Sequence, residues 1–245
     1  MLKSVVPADL INALAARVDS ERARLEREAR AALYRINSEL LASPAHIGFL
    51  SPFTDPFCHR DLITSQRLMT LLEDYLGAGF FLEEYVVNVS LAGGNTWQKV
   101  HADQERDSRG SVGVVCNVAL ALTGPANGMM RMWLGSQGAT LRDPDLLDKA
   151  YVSSQPSLAP GDVLVRDLSL LHQGAPNPSA KDRNLLALVY QPGWRQLEDC
   201  ARGDIPARDW DRWTPQQRQV MRQHRVVSDE VVHARPYPIP LTVMK

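Results

Sequence analysis

The sequence predicts a mainly β protein, an antiparallel sandwich or barrel over about residues 80–195, flanked by helices on both sides. Three observations carry this. After Gly79 the chain breaks into short runs rich in β-branched and aromatic residues, FFLEEYVVNVSLAGG, SVGVVCNVALAL, GMMRMWLG, GDVLVRDL and RNLLALVYQPGW, punctuated by Gly, Pro and Asn. No helical pattern of regular length alternates with those runs, which argues against a doubly wound parallel sheet. Outside this region the apolar residues recur instead at helical spacing.

The N-terminal part, residues 1–79, is expected to be helical. Over residues 7–41, Leu10, Leu14, Val18, Leu25, Ala29, Leu33 and Ile36 recur with Arg and Glu between them, which predicts one long or two shorter amphipathic helices. A second helix is expected over residues 65–76, with Leu68, Leu71, Leu72 and Tyr75 to one side and a stop at Gly77 and Gly79. Residues 143–150 read as a short helix or a lid-like insertion among the strands. Beyond Trp194 a C-terminal helical extension, residues 196–245, is expected, with Thr214 and Pro215 as N-cap and first-turn proline. The whole is expected to be a single domain of 245 residues.

Composition excludes several classes. A net charge of −1 offers no basic field to gather nucleic acid or anionic lipid. No segment approaches the ~18 consecutive apolar residues of a membrane span, and the first residues lack a signal-peptide pattern. Cys58, Cys116 and Cys200 are odd in number and widely separated, as expected of reduced thiols in a cytoplasmic protein. The expected partner is a small molecule, not nucleic acid or membrane, and oligomeric state is left open.

The chemistry concentrates in histidines and one carboxylate. A facial site for non-haem iron needs two neutral imidazoles and a carboxylate on one side of the ion. His101-Ala102-Asp103 supplies two of these, because residues i and i+2 of an extended strand point the same way. His172, between a strand and a turn-rich loop, would be the third. With six histidines and 28 acidic residues, a chance His-x-Asp or His-x-Glu has about even odds, so the motif alone decides little. The second copy, His59-Arg60-Asp61, precedes every predicted strand and reads as a capping or ion-pair cluster.

Order along the chain gives the motif its weight. Gln98-Lys99-Val100-His101-Ala102-Asp103 is followed by a strand, the Asn127-Gly128 turn, a strand ending near Gly135-Ser136, the Pro160-Gly161-Asp162 turn, His172, and Arg183 eleven positions later. This series resembles the phytanoyl-CoA dioxygenase-like family of Fe(II)- and 2-oxoglutarate-dependent oxygenases over roughly residues 80–195. The resemblance implies a double-stranded β-helix, or jelly-roll, core. It implies iron bound by His101, Asp103 and His172, with 2-oxoglutarate and O2 as cosubstrates. Arg183, whose guanidinium fork suits a carboxylate, is implied to hold the distal end of 2-oxoglutarate. Asn88 and Asn117 are expected on the cosubstrate, and Gln98 and Trp133 on the substrate. One departure stands out: Gly174 occupies a position, two beyond the distal histidine, where family members often carry serine.

Halogenating relatives replace the carboxylate ligand with Gly or Ala, so Asp103 points to hydroxylation, or a related oxidation, of an unactivated C–H bond in a small organic molecule, with natural-product biosynthesis as the expected setting. Two competing readings remain at this point: a jelly-roll metalloprotein that uses no 2-oxoglutarate, and a non-catalytic small-molecule-binding protein on the same fold.

Overall fold

The computed structural model describes residues 1–29, 45–196, 203–229 and 232–236. The predicted helical region 7–41 is realised as α1 (Ala8–Ala29), and its remainder lies outside the described residues. Leu10, Ile11, Leu14, Val18 and Leu25 form its buried stripe. Helix α2 (Arg60–Ile63) is one turn long and begins at His59, whose Nδ1 accepts from the Asp61 N–H at 3.3 Å. The second His-x-Asp therefore caps a helix, as expected. Helix α3 (Gln66–Leu76) has Ser65 as N-cap residue and ends at Gly77, φ +78°, a left-handed backbone that favours glycine.

Two antiparallel sheets form the core. The larger has the order β11-β1-β2-β8-β3-β6, from β1 (His46–Leu50), β2 (Phe81–Ser90), β3 (Val114–Ala119), β6 (Val163–Asp167), β8 (Arg183–Gln191) and β11 (Arg235–Pro236). The smaller has the order β5-β4-β7, from β4 (Arg131–Leu134), β5 (Val152–Ser154) and β7 (His172–Gln173). Between β4 and β5 lies α4 (Pro144–Ala150), capped by the Asp143 carboxylate on the N–H groups of Asp145 and Leu146. This is the double-stranded β-helix that the family resemblance implied.

Alternation along the strands assigns the two faces of the larger sheet. Tyr85, Val87, Val89, Cys116, Val118, Leu186, Leu188 and Tyr190 pack with α1 and α3 in one continuous cluster. The opposite face carries Val86, Asn88 and Ser90 of β2, Arg183, Leu185 and Ala187 of β8, Val115 and Asn117 of β3, and Leu164 and Arg166 of β6. That second face looks toward the smaller sheet, and it is there that polar residues interrupt the apolar pattern.

Two expectations need correction. Residues 1–79 are not wholly helical, because His46–Leu50 pairs along its length with β2. The run is short and apolar, and flanking helical periodicity hid it; only its long-range partner makes it a strand. Likewise the C-terminal part is not only helical. Helices α5 (Ala207–Arg212) and α6 (Pro215–Met221) are accompanied by β9 (Asp204–Pro206), β10 (Arg225–Val227) and β11. Thr214 does cap α6, in a reciprocal box with Gln217. Among the described residues no helix is long and apolar enough to cross a membrane. Cys58 and Cys116 are free and buried, and Cys200 lies outside the described residues.

Candidate metal centre

His101 and His172 are brought together by a single antiparallel bridge. His101 N–H donates to His172 O at 3.0 Å and His172 N–H to His101 O at 2.9 Å. Their rings lie 4.3 Å apart between centroids. Two residues on, the Asp103 N–H donates to Leu168 O at 2.9 Å, which fastens the loop under its carboxylate. One donor atom from each of His101, Asp103 and His172 falls within 4.8 Å of the others. The Asp103 Oδ1 atom is 3.8 Å from His101 Nε2 and 3.5 Å from His172 Nε2. Ligands on one face of an ion at ~2.1 Å stand roughly 3 Å apart, so small side-chain movements close the set.

Both imidazoles are oriented alike. His101 Nδ1 donates to Lys99 O at 2.8 Å and His172 Nδ1 to Leu170 O at 3.1 Å. In each ring Nδ1 is thereby engaged as a donor, and Nε2 is the nitrogen that faces Asp103. Burial, reinforced by the Arg166 charge, pushes His172 well below the ordinary histidine range, so it is neutral, as a metal ligand must be. For Asp103, burial acts upward, but Arg166 and the two imidazoles outweigh it and hold the carboxyl well below its usual range. His172 and Asp103 are thereby both held in the forms that bind a metal.

A second polar group lies across the larger sheet. His46, Ser90 and Arg183 are opposite one another in register on β1, β2 and β8. Arg183 is 5% exposed, and one terminal nitrogen donates to Gly128 O, while its Nε has no partner. Gly128, φ +86°, brings its backbone so close that a Cβ there would stand 2.5 Å from Ser90 Oγ. Burial lowers Arg183 only to about 10, so it stays cationic at neutral pH. Among the described residues no carboxylate neutralises it; neighbouring Asp182 pairs with Arg22 instead. Asn117 is fully buried, with Oδ1 accepting from Arg166 Nε at 3.4 Å and Nδ2 without a partner. Asn88 lies on the same face, two places from Ser90, with an exposed side chain.

The remaining expectations divide. The carboxamide oxygen of Gln98 accepts from the Gly174 N–H at 2.9 Å, clipping the His101 segment to the His172 segment. Trp133 is turned away from the site. Met132 pairs with His172 and shares its face, so the next residue along the strand points to the other side. There Trp133 packs with Leu147 and Leu171 and donates its indole N–H to Asp148 at 2.8 Å. The expected substrate contact at Trp133 is corrected: it is a core residue of the outer layer.

His46, Ser90 and Arg166 were not singled out in the sequence. The one signal available was parity, since Arg166 and Ser90 fall on the inward positions of otherwise apolar strands. Gly174 also gains its reason here. A Cβ at that position would stand 2.5 Å from Gln98 Oε1 and 2.9 Å from His46 Nε2, so the serine of relatives has no room. Gly174→Ser is expected to destabilise the fold by about 1–3 kcal/mol through overpacking, read as a fall of the thermal midpoint by several degrees; an unchanged midpoint would refute the crowding.

His46 carries a pH dependence. Its imidazole is pushed down to about 4 by burial, with the charges of Arg183 and His101 adding to this against a bond to Ala175 O. The unfolded chain therefore binds the proton more readily between an ordinary 6.5 and about 4. Stability from this group is complete above that window and is lost as pH falls through it, by roughly 1 kcal/mol per pH unit. Urea midpoints at pH 7 and pH 4.5 are expected to differ less in His46→Gln than in the wild type.

The jelly roll and its His-x-Asp with distant His define a protein of the non-haem, 2-oxoglutarate-dependent oxygenase class. The chain belongs to the phytanoyl-CoA dioxygenase family, whose model, described as phytanoyl-CoA dioxygenase (PhyH), matches residues 1–185. Solved structures share the fold at low identity. HygX from Streptomyces hygroscopicus, with nickel and 2-oxoglutarate bound, overlays with TM-score 0.55 at 18% identity, over 95% of this chain and 91% of that one. The epimerase SnoN, in complex with Fe3+, α-ketoglutarate and nogalamycin RO, gives TM-score 0.56 at 18% identity over 78% and 77%. The non-haem monooxygenase ThoJ, as its nickel complex, gives 0.58 at 18% over 80% and 76%. Comparison with curated proteins by sequence gives no match.

Proposed function

We propose that the protein is an Fe(II)- and 2-oxoglutarate-dependent dioxygenase that hydroxylates an unactivated C–H bond of a small organic molecule. The observation that carries this reading is the pairing of two features across the jelly roll. One is a donor set of two imidazoles and an ionised carboxylate; the other is a buried guanidinium with an unsatisfied Nε and, among the described residues, no acid to neutralise it. A buried cation without a counter-charge is costly unless a ligand supplies one. A metalloprotein without 2-oxoglutarate leaves that cation unexplained, and so does a non-catalytic binder.

His101, Asp103 and His172 would hold the iron, by the chemistry of their donor atoms. When bound, iron and 2-oxoglutarate would supply the activation of O2, of which one oxygen atom goes to succinate as 2-oxoglutarate loses carbon dioxide and the other to the substrate C–H bond. Arg183 binds and orients the distal carboxylate. Ser90, directly opposite it in register, supplies the hydroxyl that position 174 lacks. The free amide nitrogen of Asn117 donates to the cosubstrate from within the sheet, and Asn88 does so from the open side. Gln98 lines the substrate side while bracing Gly174. Apolar neighbours such as Val86, Ala187 and Leu185 keep water from the inner face.

Retention of Asp103 leaves no ligand position for a halide, which favours hydroxylation. Structures of HygX with hygromycin B bound and of SnoN with nogalamycin RO support a natural product as substrate. The near-neutral net charge offers nothing that favours a polyanionic thioester.

Anaerobic titration of the protein with Fe(II) and then 2-oxoglutarate tests the reading. A weak visible charge-transfer absorption is expected, together with succinate formation once air is admitted. Absence of both in metal-loaded wild type would reject it.

A further inference from the structure

We infer that Arg166 is a positioning residue that keeps Asp103 a one-oxygen ligand, with Oδ1 turned toward the two imidazoles. This inference rests on the metal reading above.

Arg166 is 8% exposed and sits on edge strand β6, where its inward neighbour Leu164 is apolar. A guanidinium in that place needs a fixed partner to offset its desolvation. Its Nη2 donates to Asp103 Oδ2 at 2.7 Å, a charge-assisted bond to one carboxylate oxygen. The other oxygen, Oδ1, is the one that faces His101 and His172. The two oxygens of Asp103 are thus divided between a protein cation and the metal position. With Oδ2 engaged, the carboxylate offers a single donor atom, and one more place at the ion stays open for cosubstrate or oxygen.

Arg166 is itself aimed. Its Nε donates to Asn117 Oδ1 at 3.4 Å, and its Nη1 lies 3.4 Å from His172 Nδ1. Because that nitrogen gives its proton to Leu170 O, the Nη1 approach is a contact, not a hydrogen bond. The planar group therefore fills the gap between the distal histidine and the loop bearing Asp103. The backbone of that loop is fastened to Leu168 O, but the Asp103 side chain is 31% exposed, and its carboxylate has Arg166 as its one ion-pair partner besides the two imidazoles among the described residues.

Charge alone cannot be the reason for Arg166, since a guanidinium beside a divalent cation is repulsive. The contribution is geometric, and geometry separates arginine from lysine: an ammonium keeps the charge but cannot span Asp103 and Asn117 together.

The test is titration of full-length protein with Co(II) alone, reading the dissociation constant and the visible d–d spectrum. Arg166→Lys, with near-UV circular dichroism unchanged, is expected to bind Co(II) about tenfold or more weakly, with a spectrum altered by the changed carboxylate. A wild-type constant and spectrum in that variant would overturn the inference. Should Arg166→Lys lose its near-UV signal, Arg166→Gln carries the same comparison through the spectrum. In an Asp103→Ala background the Arg166→Lys change is expected to have no further effect, and a further loss there would equally overturn it. Wild type that binds no Co(II) takes down the metal reading along with this one.

Discussion

His172→Ala is expected to abolish stoichiometric Fe(II) binding and to lower 2-oxoglutarate-dependent turnover by about a thousandfold or more. The size follows from the geometry of the set. His172 is the buried member, 4% exposed, and the bridge with His101 brings the two rings to 4.3 Å between centroids, tilted by 49°. Deleting its ring removes one of the three donors gathered there among the described residues, and His101 and Asp103 are more exposed, so water competes for the ion. Equilibrium dialysis against Fe(II) or Ni(II), alongside succinate release, measures both effects. The fold is expected to survive, because the backbone bridge to His101 does not involve the imidazole. Retained metal stoichiometry and turnover in a folded variant would leave the oxygenase reading without its centre.

Arg183→Ala has the next largest expected effect, on 2-oxoglutarate and not on the metal. Truncating one partner of a buried, hydrogen-bonded charge pair costs about 2–5 kcal/mol. The KM for 2-oxoglutarate should therefore rise by ~30-fold or more, while Fe(II) affinity measured without cosubstrate stays near wild type. The charge-transfer absorption at a fixed, low 2-oxoglutarate concentration should disappear. Arg183→Lys should recover part of the loss, because it restores charge without the fork. Alanine also removes a buried cation that no carboxylate among the described residues neutralises, which offsets part of the cost of losing its bond to Gly128 O and its packing. Equal KM values for 2-oxoglutarate would assign Arg183 to structure alone.

The contrast between these two variants also separates the alternatives. A metalloprotein that uses no 2-oxoglutarate would respond to His172→Ala and ignore Arg183→Ala. A non-catalytic binder would tolerate both.

Much of this was determined by the sequence alone. His101 and Asp103 share a face because alternate residues of an extended chain do, and His172 was identifiable by its place after a strand and before a turn. Gly77, Asp143 and Thr214 announced helix ends through local backbone and capping chemistry, which needs no distant partner. Position 183 was legible through the family resemblance, which implies an arginine about eleven positions beyond the distal histidine. What the tertiary structure decided was everything that depends on which strands lie side by side. His46–Leu50 becomes a strand only against β2, so His46 could not be placed next to Ser90 and Arg183 from sequence. The outward turn of Trp133 follows from the pairing of Met132 with His172, and a one-residue change of register would have reversed it. The reach of Arg166 to Asp103 spans 63 positions in the chain and two separate structural elements. Local rules specify conformation residue by residue, whereas register and long-range pairing arise from the folded chain as a whole.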